Sequence, residues 1–256
     1  NDYDASQSCV VDASGNIFLC GKTRSTASIA SAGHQNTLGG GLDAYLVKFT
    51  SSGARLWGSY YGGTDDDYAW QCSVSPAGDV FLAGSTTSIN AIASGGYQNA
   101  YGGGTHDGYI AKFNPSGTRM WGSYYGESAQ DFGFSCAVDA AGNSYLAGWT
   151  SSTAGIASNG HQNTYGGGGT DAFLVKLGPS GDRAWGTYYG GAGDEGGFWD
   201  ETKFAIGRCI VNPSGDVLLT GHTTSTTGIS ENGSQNTFGG DRDAYLVKFA
   251  DRSITT

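Results

Sequence analysis

The sequence predicts an all-β protein, a four-bladed β-propeller, and three observations carry that expectation. A heptapeptide, Asp43-Ala44-Tyr45-Leu46-Val47-Lys48-Phe49, recurs as Asp107 to Phe113, Asp171 to Leu177 and Asp243 to Phe249, at offsets of 64 (107−43), 64 (171−107) and 72 (243−171) residues. A second segment, Arg55-Leu56-Trp57-Gly58-Ser59-Tyr60-Tyr61-Gly62, recurs as Arg119 to Gly126 and Arg183 to Gly190, and then not again. Every strand-like segment is short, rich in aromatic or β-branched residues and bounded by Gly, Pro, Asn or Asp, and none sustains a helical period. Self-similarity at such a period is the mark of a repeat architecture.

Four units follow, at residues 1–63, 64–126, 127–191 and 192–256, each about 64 residues long and each expected to be one blade of four antiparallel strands. The first strand is Ser8-Cys9-Val10-Val11-Asp12, repeated at Gln71 to Ser75, Ser135 to Asp139 and Arg208 to Asn212. A tight turn such as Ala140-Ala141-Gly142-Asn143 leads to the second, Ile17 to Gly21 in the first unit. The heptapeptide is the third, and a turn such as Asn114-Pro115-Ser116-Gly117 delivers the fourth, the Trp-Gly-Ser-Tyr-Tyr segment. The inner segments are nearly apolar on both faces, as expected of a sheet covered on both sides. The last blade is expected to lack a full outer strand unless Arg252 to Thr256 forms a short one. Its third strand, at Tyr245, Val247 and Phe249, would then be an open edge that invites strand addition from another chain.

Composition agrees and excludes several functions. Glycine is abundant (45) and proline scarce (4), which suits short strands joined by glycine turns. A net charge of −10 argues against nucleic acid and against anionic membrane surfaces, since both need basic patches. No apolar run reaches the roughly 18 residues of a membrane span. The chain opens at Asn1 rather than Met and is expected to be a mature or trimmed product, so the lack of a visible leader carries no information. Cys9, Cys72, Cys136 and Cys209 occupy one repeated position, read as a small buried apolar site rather than a disulfide framework. The hairpin register expected from the turns puts Cys9 and Cys20 on opposite faces, against a bridge between them.

The run Ala137-Val138-Asp139-Ala140-Ala141-Gly142-Asn143-Ser144-Tyr145-Leu146-Ala147-Gly148-Trp149-Thr150, with Asp171 to Leu177 and Trp185 to Gly191, resembles the bacterial β-propeller repeats known as SBBP. The resemblance spans essentially the whole chain. It implies a propeller fold in a secreted or surface-borne protein, and it brings no common catalytic residue. The chain departs from the pattern in the longer insertion within each unit and in its low blade count. By likeness to related propellers, the Cys9-type strand lines the axis and the Trp57-type strand forms the outer edge. Short turns then gather on one face and the long connections, such as Thr23 to Leu42, on the other, where binding surfaces lie.

Candidate sites are few. Asp4, Asp67 and Asp131 each precede the repeated cysteine by five residues and should ring the axis mouth, where oxygen ligands could meet a hard cation such as calcium. In the last unit a nine-residue insertion (73−64) displaces this position, and Asp194, Glu195, Asp200 or Glu201 would have to replace it. The preferred reading is that these carboxylates cap turns. Asn36, Asn99, Asn163 and Asn236, in repeated Gln-Asn segments, are read as turn formers, with a carbohydrate-binding reading beside it. The residue near the end of the second strand changes in every unit (Lys22, Ser85, Trp149, His222), as a recognition surface or an unconstrained one does. Asn232-Gly233-Ser234 is a glycosylation sequon. No nucleophile elbow, phosphate cradle or metal-spaced histidine set is present, so the chain is expected not to be an enzyme. The leading expectation is an extracellular or cell-surface structural or adhesive module that associates with copies of itself. The alternative is a lectin-like propeller that binds glycans through the long-loop face, with Trp149, Trp199 and His222 as contacts. A hydrolase or lyase using the acidic insertion at Asp194 and Glu195 stands third.

Overall fold

The computed structural model describes residues 3–196 and 207–250, and these form fifteen β-strands. They are β1 (Asp4–Val11), β2 (Ile17–Thr23), β3 (Asp43–Phe49), β4 (Arg55–Tyr61), β5 (Asp67–Val74), β6 (Val80–Thr86), β7 (Asp107–Phe113), β8 (Arg119–Tyr125), β9 (Asp131–Val138), β10 (Ser144–Thr150), β11 (Asp171–Leu177), β12 (Arg183–Tyr189), β13 (Arg208–Val211), β14 (Val217–Thr223) and β15 (Asp243–Phe249). Each unit folds into its own antiparallel meander: β1-β2-β3-β4, β5-β6-β7-β8, β9-β10-β11-β12, and a three-stranded β13-β14-β15.

The first turn of every unit closes the same way. Asp12 donates its amide to the Asn16 carbonyl, and Gly15, at φ 80°, donates to Asp12, so a type I turn ends in a left-handed glycine. A β-bulge that the repeat pattern does not announce interrupts the first strand of units 1 to 3, between Ser6 and Ser8, between Ala69 and Gln71, and opposite Ala147 and Gly148. The register places Ser8 opposite Cys20 and Cys9 opposite Leu19. All five cysteines are free, with Cys9 exposed and the others buried.

The sheets stack in chain order. Phe18, Cys20 and Leu46 of unit 1 share an apolar cluster with Leu82, Tyr109 and Phe113 of unit 2. Unit 2 joins unit 3 through Phe81, Ile110 and Phe173, and unit 3 joins unit 4 through Tyr145, Leu174 and Leu219. First strands abut across the stack: the Cys136 thiol lies 3.4 Å from the Ser73 hydroxyl, and the Cys209 amide donates to Ser135 Oγ at 2.9 Å. At the periphery, Trp57 Nε1 donates to the Pro115 carbonyl of the next unit at 3.0 Å, and Trp121 to Pro179 likewise. Tyr61 donates its hydroxyl to the Ile92 carbonyl, again in the next unit.

The repeated lysine belongs to this framework. Lys48, Lys112 and Lys176 sit over Phe18, Phe81 and Tyr145 and reach Asp12, Asp79 and Asp139 at 3.7, 3.0 and 3.9 Å. Among the described residues no apolar cluster joins unit 4 back to unit 1. The expectation that every sheet hides both faces therefore holds for units 2 and 3, while units 1 and 4 each keep an outward face open. Asn1, Asp2 and the segments 197–206 and 251–256, which include Trp199, Asp200, Glu201 and the tail from Arg252 to Thr256, lie outside the described residues.

Candidate functional site

Among the described residues, the edge of unit 4 is the most distinctive feature. In units 1 to 3 the outer strand lies between two partners. β4 pairs with β3 on one side, and on the other the long loop bridges to it, Ser31 to Gly58 and Gln35 to Tyr60. In unit 4 β15 is the last strand of its sheet. A cleft of about 660 Å³ runs beside it, walled on one side by Asp243 to Lys248 and on the other by the long loop from Ser225 to Phe238. Asn232 of the sequon lies on this wall.

The loop already holds its filled-unit conformation. Gln235 Nε2 donates to the Thr237 carbonyl at 3.0 Å, as Gln35 does to Thr37. Asn236 accepts from the Gly233 amide at 2.9 Å and donates back to its carbonyl at 3.0 Å. Asn36 and Asn163 make the same two bonds to Gly33 and Gly160, and Asn99 donates to Gly96. All four asparagine side chains thus bind within their own loops.

The three residues expected at the edge face inward. Tyr245 and Phe249 pack on Tyr189 at 5.1 and 5.9 Å, and Val247 joins the same cluster. What β15 offers outward is its backbone edge and, on the opposite face, Leu246, which is 67% exposed. Ile210, from β13, is 61% exposed on the same unit.

The carboxylates form a second set, with Asp67, Asp131 and Glu195 buried and Asp4 exposed. Asp67 accepts from the Thr86 hydroxyl, from Ser88 Oγ at 2.9 Å and from the Gly63 amide at 2.7 Å. Asp131 does the same with Thr150, Ser152 and Glu127, and Asp4 binds Thr23 and Ser25. In unit 4 the role falls to Glu195, which accepts from Thr223 Oγ1 at 2.5 Å and from the Gly191 amide at 2.8 Å. Asp194 instead accepts from the Gly169 amide. The carboxylate and its hydroxyl partner are 28 residues apart here and 19 elsewhere, so the nine-residue insertion (28−19) falls after the carboxylate. Each carboxylate clasps a turn, and among the described residues no group of three or more His, Cys, Asp or Glu is placed to hold a metal ion.

Burial pushes Asp67 up to about 7 and Asp131 up to about 6. Each also faces a carboxylate of the preceding unit's third strand. Asp107 Oδ1 and Asp131 Oδ2 lie 2.5 and 2.9 Å from the point a Cβ on Gly126 would occupy, and Asp171 and Glu195 flank Gly190 in the same way. Burial, reinforced by that facing carboxylate, raises Asp107 to about 8 and Asp171 to about 7.

The bulges account for a third feature that the repeat pattern hides. Trp70 and Phe134 stand at the bulge positions, and with Tyr68, Phe132 and Trp149 they build an aromatic cluster between units 2 and 3. Trp149 lies on Phe132 with ring centres 4.4 Å apart, and Ser85 Oγ accepts from Trp70 Nε1. Lys22 sits 5.0 and 5.2 Å from the rings of Tyr68 and Trp70. The changing second-strand position thus feeds this cluster in units 1 to 3, while His222 is buried in unit 4. The rings are largely covered by one another.

No protein-family model matches the chain, and no curated protein matches it either.

Proposed function

We propose that the four sheets are blades of a β-propeller and that the chain is a non-enzymatic structural or adhesive module that assembles with copies of itself through its last blade. The observation that carries this reading is the exposure of blade 4. Leu246 is 67% exposed, whereas Leu46, Ile110 and Leu174, its counterparts, are fully buried. Blade 1 offers the complementary half: Cys9 and Val11 are exposed and Leu19 is half-buried, although Cys72, Leu82, Cys136 and Leu146 are buried. The outward face of blade 4 is therefore of the kind that packs on the next blade, and the outward face of blade 1 is of the kind that receives it. Covering each leucine-sized side chain would contribute about 1.5–3 kcal/mol. A setting outside the cell or on its surface follows from the resemblance to SBBP repeats. The lectin-like alternative has less support, since Trp149 is packed against Phe132 and the loop asparagines bind their own backbone.

Sedimentation velocity over a concentration series tests the reading, with Cys9 thiol reactivity as a local probe. The wild type is expected to associate and to protect Cys9 as it does so, and Leu246→Lys is expected to stay monomeric with Cys9 reactive. A wild type that remains monomeric at high concentration sinks self-association. Protection of Cys9 in that monomer would mean that blade 4 closes on blade 1 within one chain.

A further inference from the structure

We infer that Cys20 and Cys72 form a dithiol site that closes to a disulfide and locks unit 1 covalently to unit 2. The inference is independent of the assembly reading. It turns on Cys20, the one thiol that stands outside the repeated cysteine position.

The register makes three interfaces directly comparable. Cys20 pairs with Ser8, Ala83 with Gln71, and Ala147 with Ser135, so these are one position in the second strands of units 1 to 3. At each interface the repeated cysteine of the next unit lies against the first-strand member of that pair. The Cys72 thiol is 3.9 Å from both the carbonyl oxygen and the hydroxyl of Ser8, the Cys136 thiol 3.8 Å from the Gln71 carbonyl oxygen, and the Cys209 thiol 3.8 Å from that of Ser135. In the apolar clusters between the units, Ala83 accompanies Cys136 and Ala147 accompanies Cys209, whereas Cys20 accompanies Cys72. Alanine fills this place fully buried in units 2 and 3, so packing by itself does not call for a sulfur there. Cys9 is exposed and pairs with Leu19, which puts it on the other face of unit 1.

The two thiols are hydrogen-bond partners. The bond to Cys72, reinforced by burial, pushes Cys20 well above the ordinary thiol range, and the same bond holds Cys72 below it. Cys72 is also the less enclosed of the two, at 3% exposure against 0%. Cys72 is therefore the attacking thiol and Cys20 the resolving one. With a small-molecule disulfide such as oxidised glutathione as oxidant, a bond forms between the Cys72 sulfur and one glutathione sulfur, the glutathione S–S bond breaks, and one glutathione leaves. Capping Cys72 removes the partner that held the Cys20 proton. Cys20 then displaces the second glutathione from the Cys72 sulfur. Two protein thiols are oxidised, one external disulfide is reduced, and both protons end on the released glutathiones.

The test incubates the intact chain with oxidised glutathione or with dithiothreitol, alkylates the remaining thiols and maps linked peptides by mass spectrometry without reduction. A peptide pair joined through Cys20 and Cys72 is expected in the oxidised chain alone. The same link is expected after refolding from guanidinium in a glutathione buffer, where burial does not keep the oxidant out. The oxidised chain is expected to melt roughly 5 °C or more above the reduced one, because the bridge closes a 52-residue loop (72−20) in the unfolded chain. Cys20→Ala is expected to abolish both the link and the rise while the reduced chain melts close to the wild type, since alanine occupies that place in units 2 and 3. Glutathione is expected to stay on Cys72 in that variant, and an unmodified Cys72 overturns the order of attack. Cys9→Ser is expected to keep the link and the rise. No link between Cys20 and Cys72 by either route, a link made through Cys9 in its place, or an oxidised chain that melts no higher than the reduced one overturns the inference.

Discussion

The strands β3 and β15 have the same seven residues, Asp-Ala-Tyr-Leu-Val-Lys-Phe, and very different surroundings. In β3 the residues from Asp43 to Lys48 are buried, whereas in β15 half-buried and exposed positions alternate as in a sheet covered on one face only. The Lys48 side chain is 7% exposed beside Asp12 and under the Pro115 carbonyl, while that of Lys248 is 61% exposed although it reaches Asp216 at 3.6 Å. Local propensity is identical in the two strands. What differs is the next sheet, which unit 1 has in unit 2 and unit 4 has not found within the described residues.

Substitution at matched positions should break this equivalence most sharply where backbone meets backbone. A Cβ on Gly148 would lie 1.7 Å from the Phe132 carbonyl oxygen, across the bulge, whereas among the described residues one on Gly221 would meet the end of the Tyr245 side chain. Gly148→Ala is expected to cost about 3 kcal/mol or more and Gly221→Ala about 1 kcal/mol, read by guanidinium unfolding of each variant. Equal costs would show that unit 4 is as tightly enclosed as unit 3.

Leucine truncation comes next. Leu174→Ala removes a fully buried side chain and is expected to cost about 2–5 kcal/mol, while Leu246→Ala in the monomer should stay within about 0.5 kcal/mol. A large loss for Leu246→Ala that grows with protein concentration would instead report a covered face.

A pH dependence carried by the inter-unit carboxylates is also expected. The Asp107 value is raised from 3.8 to about 8, so the folded state holds its proton more tightly than the unfolded chain. That contribution is complete below the unfolded value and is lost as pH rises through the folded one. The melting temperature should therefore fall between about pH 4 and pH 8. Asp107→Asn, which stays neutral throughout, should flatten this fall and melt higher than the wild type at pH 8. An unchanged slope would mean that Asp107 is not the group responsible.

Much of this was legible in the residues. The period, the strands within each unit and the glycine turns could be read because each copy repeats the same chemistry at the same spacing. The bulges could not, since Gln7, Trp70 and Phe134 share no side-chain type and only register reveals that they occupy one place. Glu195 was one of four acidic residues in reach of a role that the first three units give to aspartate. Its four-residue spacing from the Gly191 amide, shared by Asp67 and Gly63, was the available signal. The edge residues Tyr245, Val247 and Phe249 lie on the correct strand but point into unit 3, and the alternation that exposes Leu246 follows from which face the neighbouring sheet covers.

By itself, then, the sequence determined the building block: hydrophobic pattern, turn glycines and repeated polar anchors are local properties, and each copy carries all of them. Only the tertiary structure decided which copies are enclosed and which are open, because burial depends on the neighbour a sheet meets and no strand encodes its neighbour. The cleft beside β15 belongs to that second category, since it is defined by a position that three units fill and that no described strand fills in the fourth.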